Sequence, residues 1–167
     1  MVGQIVKDGL SGNIRIEDLH SFIDKKLEPS SWLEITQERV NQFAEATNDY
    51  QFIHVEPDKA EKTSFGGTIV HGLLLLSLLP YLNSEKAIIP ANLMMSINYG
   101  SDKVRYLSPV RVGERVRSIQ KITSVNEKKP GQWLINKTIE MEIEKKEKLA
   151  LVANMKQLLI VNNHESA

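Results

Sequence analysis

His71-Gly-Leu-Leu-Leu-Leu-Ser-Leu-Leu-Pro-Tyr-Leu82 is apolar on nearly every side of a helical wheel. Such a helix has no polar face to offer water and is expected inside the fold. The apolar run is about half the roughly 20 residues that a membrane-crossing helix needs. The C-terminal half of the chain has a different period. Leu93–Val104 carries Leu93, Met95, Ile97 and Tyr99 on one side of an extended strand, and Val112–Val125 has Val112, Val116 and Ile119 among its apolar positions. Trp133–Glu144 alternates through Trp133, Ile135, Ile139, Met141 and Ile143, and Lys148–Val161 reads as the last strand. Lys128-Lys129-Pro130-Gly131 is a hairpin-type turn. One buried helix followed by three or four long antiparallel strands is the pattern of an α+β domain whose sheet wraps a central helix.

Upstream, Ile16–Lys26 sets Leu19, Phe22 and Ile23 at helical spacing and stops before Pro29. Ser31–Thr36 is strand-like, and Thr36 can cap a helix running to about Ala46 with Val40, Phe43 and Ala44 on one face. Thr47-Asn48-Asp49 favours a turn. Glu56-Pro57-Asp58 suits the start of another short helix, because proline fits a first helical position and acids fit the positive end of the dipole. Gly66-Gly67 marks a second break. Residues 1–29 are expected to be a leader with a short helix that packs against a partner, and 30–167 a single folded domain.

A chain of 167 residues is most simply one domain. Lysine plus arginine balances aspartate plus glutamate at 21 each, which gives no reason to expect nucleic acid or an acidic membrane as partner. Cysteine is absent, which removes disulfides, thiolate nucleophiles and Cys-ligated zinc. The N-terminal stretch lacks the pattern of a secretory signal, so a soluble cytoplasmic protein is the expectation.

Asp49 and His54 draw attention as a carboxylate and an imidazole in a segment that is neither cleanly helical nor strand-like. Five residues apart in a straight helix, they would point about 140° away from each other. They converge only if the chain turns between them, and Asn48-Asp49-Tyr50 supplies such a turn. Together they could hold one water and move its protons, since histidine titrates near neutrality. By spacing alone the signal is weak, and a turn-capping aspartate and a half-buried, hydrogen-bonded histidine are the favoured readings. The helix start at Gly72 offers unsatisfied backbone amides to developing negative charge. Ser77 inside that helix could instead bond its own backbone, and His71 could be a satisfied histidine at the helix start. His20, His54, His71 and His164 show no short metal-ligand spacing, so no metal and no cofactor are expected.

Phe43-Ala-Glu-Ala-Thr-Asn-Asp-Tyr-Gln-Phe-Ile-His-Val-Glu-Pro-Asp-Lys-Ala60 resembles the hydratase-2 motif of the MaoC-like acyl dehydratases, which include the (R)-specific enoyl-CoA hydratases. Phe65–Ser77 and Ile97–Val110 extend the likeness, and with Trp32-Leu33 the chain is most similar to the single-domain subgroup that includes nodulation protein N. The resemblance implies a hot-dog fold and a homodimer with active sites near the joined sheets. It implies Asp49 and His54 as the catalytic dyad, Ser77 as its support and the Gly72 backbone as the oxyanion donor. Gly67, His71 and Arg105 are the substrate-binding candidates, with acyl-CoA or an acyl carrier protein thioester as the substrate. The activity implied is hydration of trans-2-enoyl thioesters to (R)-3-hydroxyacyl thioesters. A hot-dog thioesterase and a non-catalytic acyl-binding module are the alternatives. Asn48 departs from the subgroup, which usually has glycine before the aspartate.

Overall fold

The computed structural model describes residues 10–11 and 14–162. Its strands are β1 (Leu10–Ser11), β2 (Leu33–Glu34), β3 (Ile88–Ile89), β4 (Leu93–Tyr106), β5 (Arg115–Lys129), β6 (Gln132–Ile143) and β7 (Leu151–Val161). Its α-helices are α1 (Gln37–Thr47), α2 (Phe52–Val55), α3 (Pro57–Ala60) and α4 (Gly72–Ser84). A five-stranded antiparallel sheet runs β2-β5-β6-β7-β4, and β1 pairs with β3 apart from it.

Burial every second residue along β5 and β6 reflects the period of two in a strand and defines one inward face. That face closes on α4. Leu74, Leu75, Leu79 and Leu82 of the helix share a core with Val116, Ile139, Met141, Ile143, Leu151 and Ala153 of the sheet. A curled antiparallel sheet around one apolar helix is the hot-dog arrangement implied by the sequence. The helix is not buried all round, however. Leu73, Ser77 and Tyr81, four residues apart and so on one face, form an exposed stripe.

The long strands outrun α4, and a second apolar cluster covers their far half. Ile16 and Leu19, from a 3-10 helix over Ile16–Phe22, pack there with Ile122, Val125, Trp133, Ile135, Leu159 and Val161. From this helix the chain runs along the edge of β5. The amides of Asp24, Leu27 and Ser30 donate to the carbonyls of Ile122, Gln120 and Ser118. The stretch read as a leader therefore has, from residue 14 on, a seat on the chain's own sheet. Between the two clusters lies a polar seam. Lys137 donates to Gln120 Oε1 (3.1 Å), Gln120 Nε2 donates to the Asn83 carbonyl (2.8 Å), and Ser118 Oγ donates to Asn83 Oδ1 (2.9 Å).

β4 departs from the simple alternation expected of it. Register shifts fall between Leu93 and Met95, Asn98 and Gly100, and Asp102 and Arg105. Each extra residue turns the following side chains to the other face. Leu93 consequently packs into the second cluster, whereas Met95 and Ile97 are exposed.

Candidate active site

The path from α1 to α4 brings Asp49 to His54. α1 stops because Asn48 adopts the left-handed conformation (φ 58°, ψ 25°), which asparagine accepts more readily than most residues. The Asp49 carboxylate then accepts from the Gln51 amide (3.5 Å), and α2 makes a single turn that carries His54. This turn removes the angular mismatch that a straight helix would impose. His54 is 7% exposed, while the Asp49 side chain is 48% exposed.

The segment after Gly66-Gly67 fixes the imidazole. The Ile69 amide donates to the Ile53 carbonyl (2.9 Å), and His54 Nδ1 bonds the Ile69 carbonyl at 2.6 Å. A carbonyl only accepts, so Nδ1 carries the hydrogen and Nε2 is the lone-pair nitrogen of the neutral ring. Gln37 supports the same segment from α1. Its Nε2 donates to the His54 carbonyl (2.7 Å), and its Oε1 accepts from Thr68 Oγ1 (2.6 Å). Burial holds His54 below the usual histidine range, opposed by the Ile69 hydrogen bond.

His71 completes the cluster. It is 2% exposed, and its ring stacks on that of His54 with centroids 3.8 Å apart and planes at 27°. Its Nε2 lies 3.0 Å from the Asp49 carbonyl and 4.0 Å from Asp49 Oδ2. The polar edge of the ring is turned to the Asp49 backbone and not to open surface. Donor atoms of Asp49, His54 and His71 all lie within 4.8 Å of one another, a set that a divalent transition metal can use. The stacked rings, however, hold their lone pairs in nearly parallel planes, and these do not meet at one point.

The remaining candidates are more scattered. Ser77 lies on the exposed stripe of α4, and no hydrogen bond joins it to Asp49 or His54 among the described residues. Gly67 (φ 147°) belongs to the turn beneath Arg111, whose guanidinium donates to the Gly66 carbonyl. Arg105 is exposed, with Nη1 on the Val104 carbonyl (3.0 Å).

A model of the MaoC-like domain matches residues 18–146. The chain belongs to the MaoC-like family. It is 39% identical to nodulation protein N of Rhizobium meliloti over 142 residues, covering 84% of this chain and 88% of that protein. It is 41% identical to 3-hydroxyacyl-thioester dehydratase Z of Mycobacterium tuberculosis over 129 residues, covering 76% of this chain and 85% of that protein. In three dimensions it is similar to the (R)-hydratase of A. caviae (TM-score 0.64, 25% identity), covering 81% of this chain and 94% of that one. The MaoC-like dehydratase of Rhodospirillum rubrum shares the fold with a TM-score of 0.72 at 14% identity, covering 90% of this chain and 99% of that one.

Two functional neighbours of this MaoC-like site escape a sequence reading. Gln37 lies 17 positions before His54, and nothing local to either residue signals their contact. Tyr106, at the end of β4, explains Gly72 differently from the expectation. A Cβ added at Gly72 would meet the Tyr106 ring at 2.9–3.1 Å, so the space left by the missing side chain is filled by the chain's own tyrosine. Gly72→Ala should therefore push the ring aside and lower kcat/KM by roughly tenfold, the cost of a misplaced wall near the reacting groups. Tyr106→Ala combined with it should recover most of that loss. Steady-state kinetics of the two single variants and the double variant test this, and a double variant no better than Gly72→Ala would show that the clash is not the cause.

Proposed function

We propose that this MaoC-like protein reversibly hydrates trans-2-enoyl thioesters to (R)-3-hydroxyacyl thioesters, with Asp49 and His54 sharing the reacting water. The observation that carries the reading is the His54 ring. Its Nδ1 is committed to the Ile69 carbonyl, so its basic nitrogen is Nε2, and the ring and the Asp49 carboxylate share one cluster, with a donor atom of each within 4.8 Å of the other. The (R)-specific enoyl-CoA hydratase of Aeromonas caviae, 32% identical over 88 residues, supports the choice of reaction.

In the forward direction the thioester carbonyl accepts from the Gly72 amide at the start of α4, where unsatisfied donors and the helix dipole favour developing negative charge. A water between Asp49 and His54 loses a proton to the dyad as its oxygen bonds C3. The C2–C3 π electrons move toward the carbonyl, and the dyad returns a proton to C2. Dehydration reverses these steps. No group beyond the dyad and the amide is required, and Arg105 supplies positive charge for the phosphates of a coenzyme A or carrier tail. The outer edge of the sheet is β4, with Met94, Met95, Ile97 and Tyr99 exposed, which supports pairing with a second copy as a homodimer.

The test is loss of the conjugated enoyl absorbance when a short trans-2-enoyl-CoA is mixed with the protein, followed by chiral analysis of the product. An (R)-3-hydroxyacyl product is the expected result. Release of free coenzyme A with the double bond intact would put a thioesterase in its place, and binding without either change would leave an acyl-binding module. Because burial lowers the His54 pKa, the acid limb of kcat should lie below pH 6.5, the ordinary histidine value. A limb at or above 6.5 would sink the assignment of His54 as the base.

A further inference from the structure

We infer that His71 is a positioning residue that locks Asp49 and His54 into one geometry without touching substrate. The inference rests on the hydratase reading above. Three separate pieces of chain meet on this ring. Nε2 donates to the Asp49 carbonyl at 3.0 Å, which ties down the turn carrying the carboxylate. One face stacks on His54 at 3.8 Å, and Phe43 of α1 packs against the ring with centroids 5.1 Å apart.

The stack and the hydrogen bond to Ile69 constrain different motions of His54. A bond from Nδ1 to a carbonyl fixes the direction of the ring in its plane but leaves the ring free to tilt about that bond. Stacking removes the tilt. Each constraint alone leaves Nε2 free to wander, and together they aim it. Positioning of this kind matters because reacting groups tolerate little displacement: a shift of about 1 Å can cost about 100-fold in rate.

The unused nitrogen supports the same conclusion. His71 Nδ1 is buried and has no hydrogen-bond partner among the described residues. A buried polar atom left unsatisfied costs stability, which is a reason to look for a role beyond packing. The ring is explained instead by what its other nitrogen and its flat face hold. Its burial to 2% exposure separates this role from substrate binding.

The variants to compare are His71→Leu, which removes the donor and the flat face, and His71→Gln, which can still donate to the Asp49 carbonyl and present a planar group. His71→Leu should lower kcat roughly 10- to 100-fold with KM within about threefold, and His71→Gln should recover most of kcat. The His54 ring, followed by NMR through a pH titration, provides a readout independent of turnover. Asp49 from the preceding turn and His71 from the start of α4 are the ionisable groups facing it, the first favouring and the second opposing its protonation. Loss of His71 should therefore move the His54 midpoint upward and take the acid limb of kcat with it. A merely structural role would lower thermal stability and leave the kcat of folded protein unchanged, which would overturn the inference. A dominant rise in KM would also overturn it, in favour of a substrate contact. Should wild type hydrate no enoyl thioester, the functional reading fails, and a His54 ring whose NMR line positions and order match wild type in both variants would separately overturn the positioning role.

Discussion

Asp49→Asn and His54→Asn should each lower kcat for enoyl-thioester hydration by about 100- to 10,000-fold, the usual contribution of a general acid or base. The two substitutions are chosen to spare the fold. Asp49 is half exposed, and asparagine keeps an oxygen for the Gln51 amide while losing the charge. Asparagine at position 54 can place an amide nitrogen near the place of Nδ1 and donate to the Ile69 carbonyl, but has nothing at the position of Nε2. His54→Ala would remove that donor as well and leave the buried carbonyl unpaired, at about 1–3 kcal/mol. It should therefore match His54→Asn in kcat and fall below it in Tm. Because both groups act on one water, the double variant should be little worse than the worse single variant. Progress curves at saturating enoyl-CoA read all of these proteins, and a single variant within about tenfold of wild type would remove that residue from the dyad.

The largest effect on stability should come from Lys137. It projects from β6 to the inward face, in register with Ile122 on β5 and Met155 on β7, and its amine meets the Gln120 oxygen. Burial alone lowers its pKa to about 8. The unfolded chain titrates this amine near 10.5, so between pH 8 and 10 it holds more protons than the folded chain. Stability then rises with pH across that window, by less than about 3 kcal/mol, the value that a shift of this size would give a fully buried amine, because Lys137 is only partly covered. Tyr106, whose hydroxyl burial pushes up, and Lys26, held up by its hydrogen bond to Glu140, act in the opposite sense from about pH 10 upward. The informative quantity is therefore the difference from Lys137→Met, which fills similar space without the charge. The variant should be more stable at pH 7 by about 1–2 kcal/mol, once the unpaired Gln120 oxygen is set against the relieved desolvation. Its advantage should vanish by about pH 10. Urea melts at pH 7, 8, 9 and 10 test this, and parallel curves for the two proteins would rule it out.

The helix–sheet architecture was legible because its signals are local. Unbroken hydrophobicity from Leu73 to Leu76 and on through Leu78 and Leu79, and the alternation from Trp133 to Ile143, each name an element without reference to the rest of the chain. Thr36 and Pro57 marked helix starts for equally local reasons, in that one caps backbone amides and the other lacks one. The proposed dyad came from the likeness to the MaoC-like motif, since Asp49 and His54 have no local pattern of their own. Three features depended on contacts across the fold and left no local trace. The bulges of β4 turn Met95 and Ile97 outward although the letters alternate as in a flat strand. Ser77 faces outward because α4 presents one stripe away from the sheet. The fit of Tyr106, far along the chain, against the bare Cα of Gly72 is the third.

The polar seam at Lys137, Gln120 and Asn83 divides the chain's cooperativity as well as its core. Strands β5, β6 and β7 pass through both halves, but the far half is closed by the segment from Ile14 to Ser30. Detaching that segment would uncover Trp133 and Ile135 while leaving α4 seated on Val116 and Met141. Opening there should cost less than global unfolding. Amides of Asp24, Leu27 and Ser30 would exchange with solvent through that opening, ahead of those beneath α4. The end that carries Asp49 and His54 would stay assembled while the other end breathes.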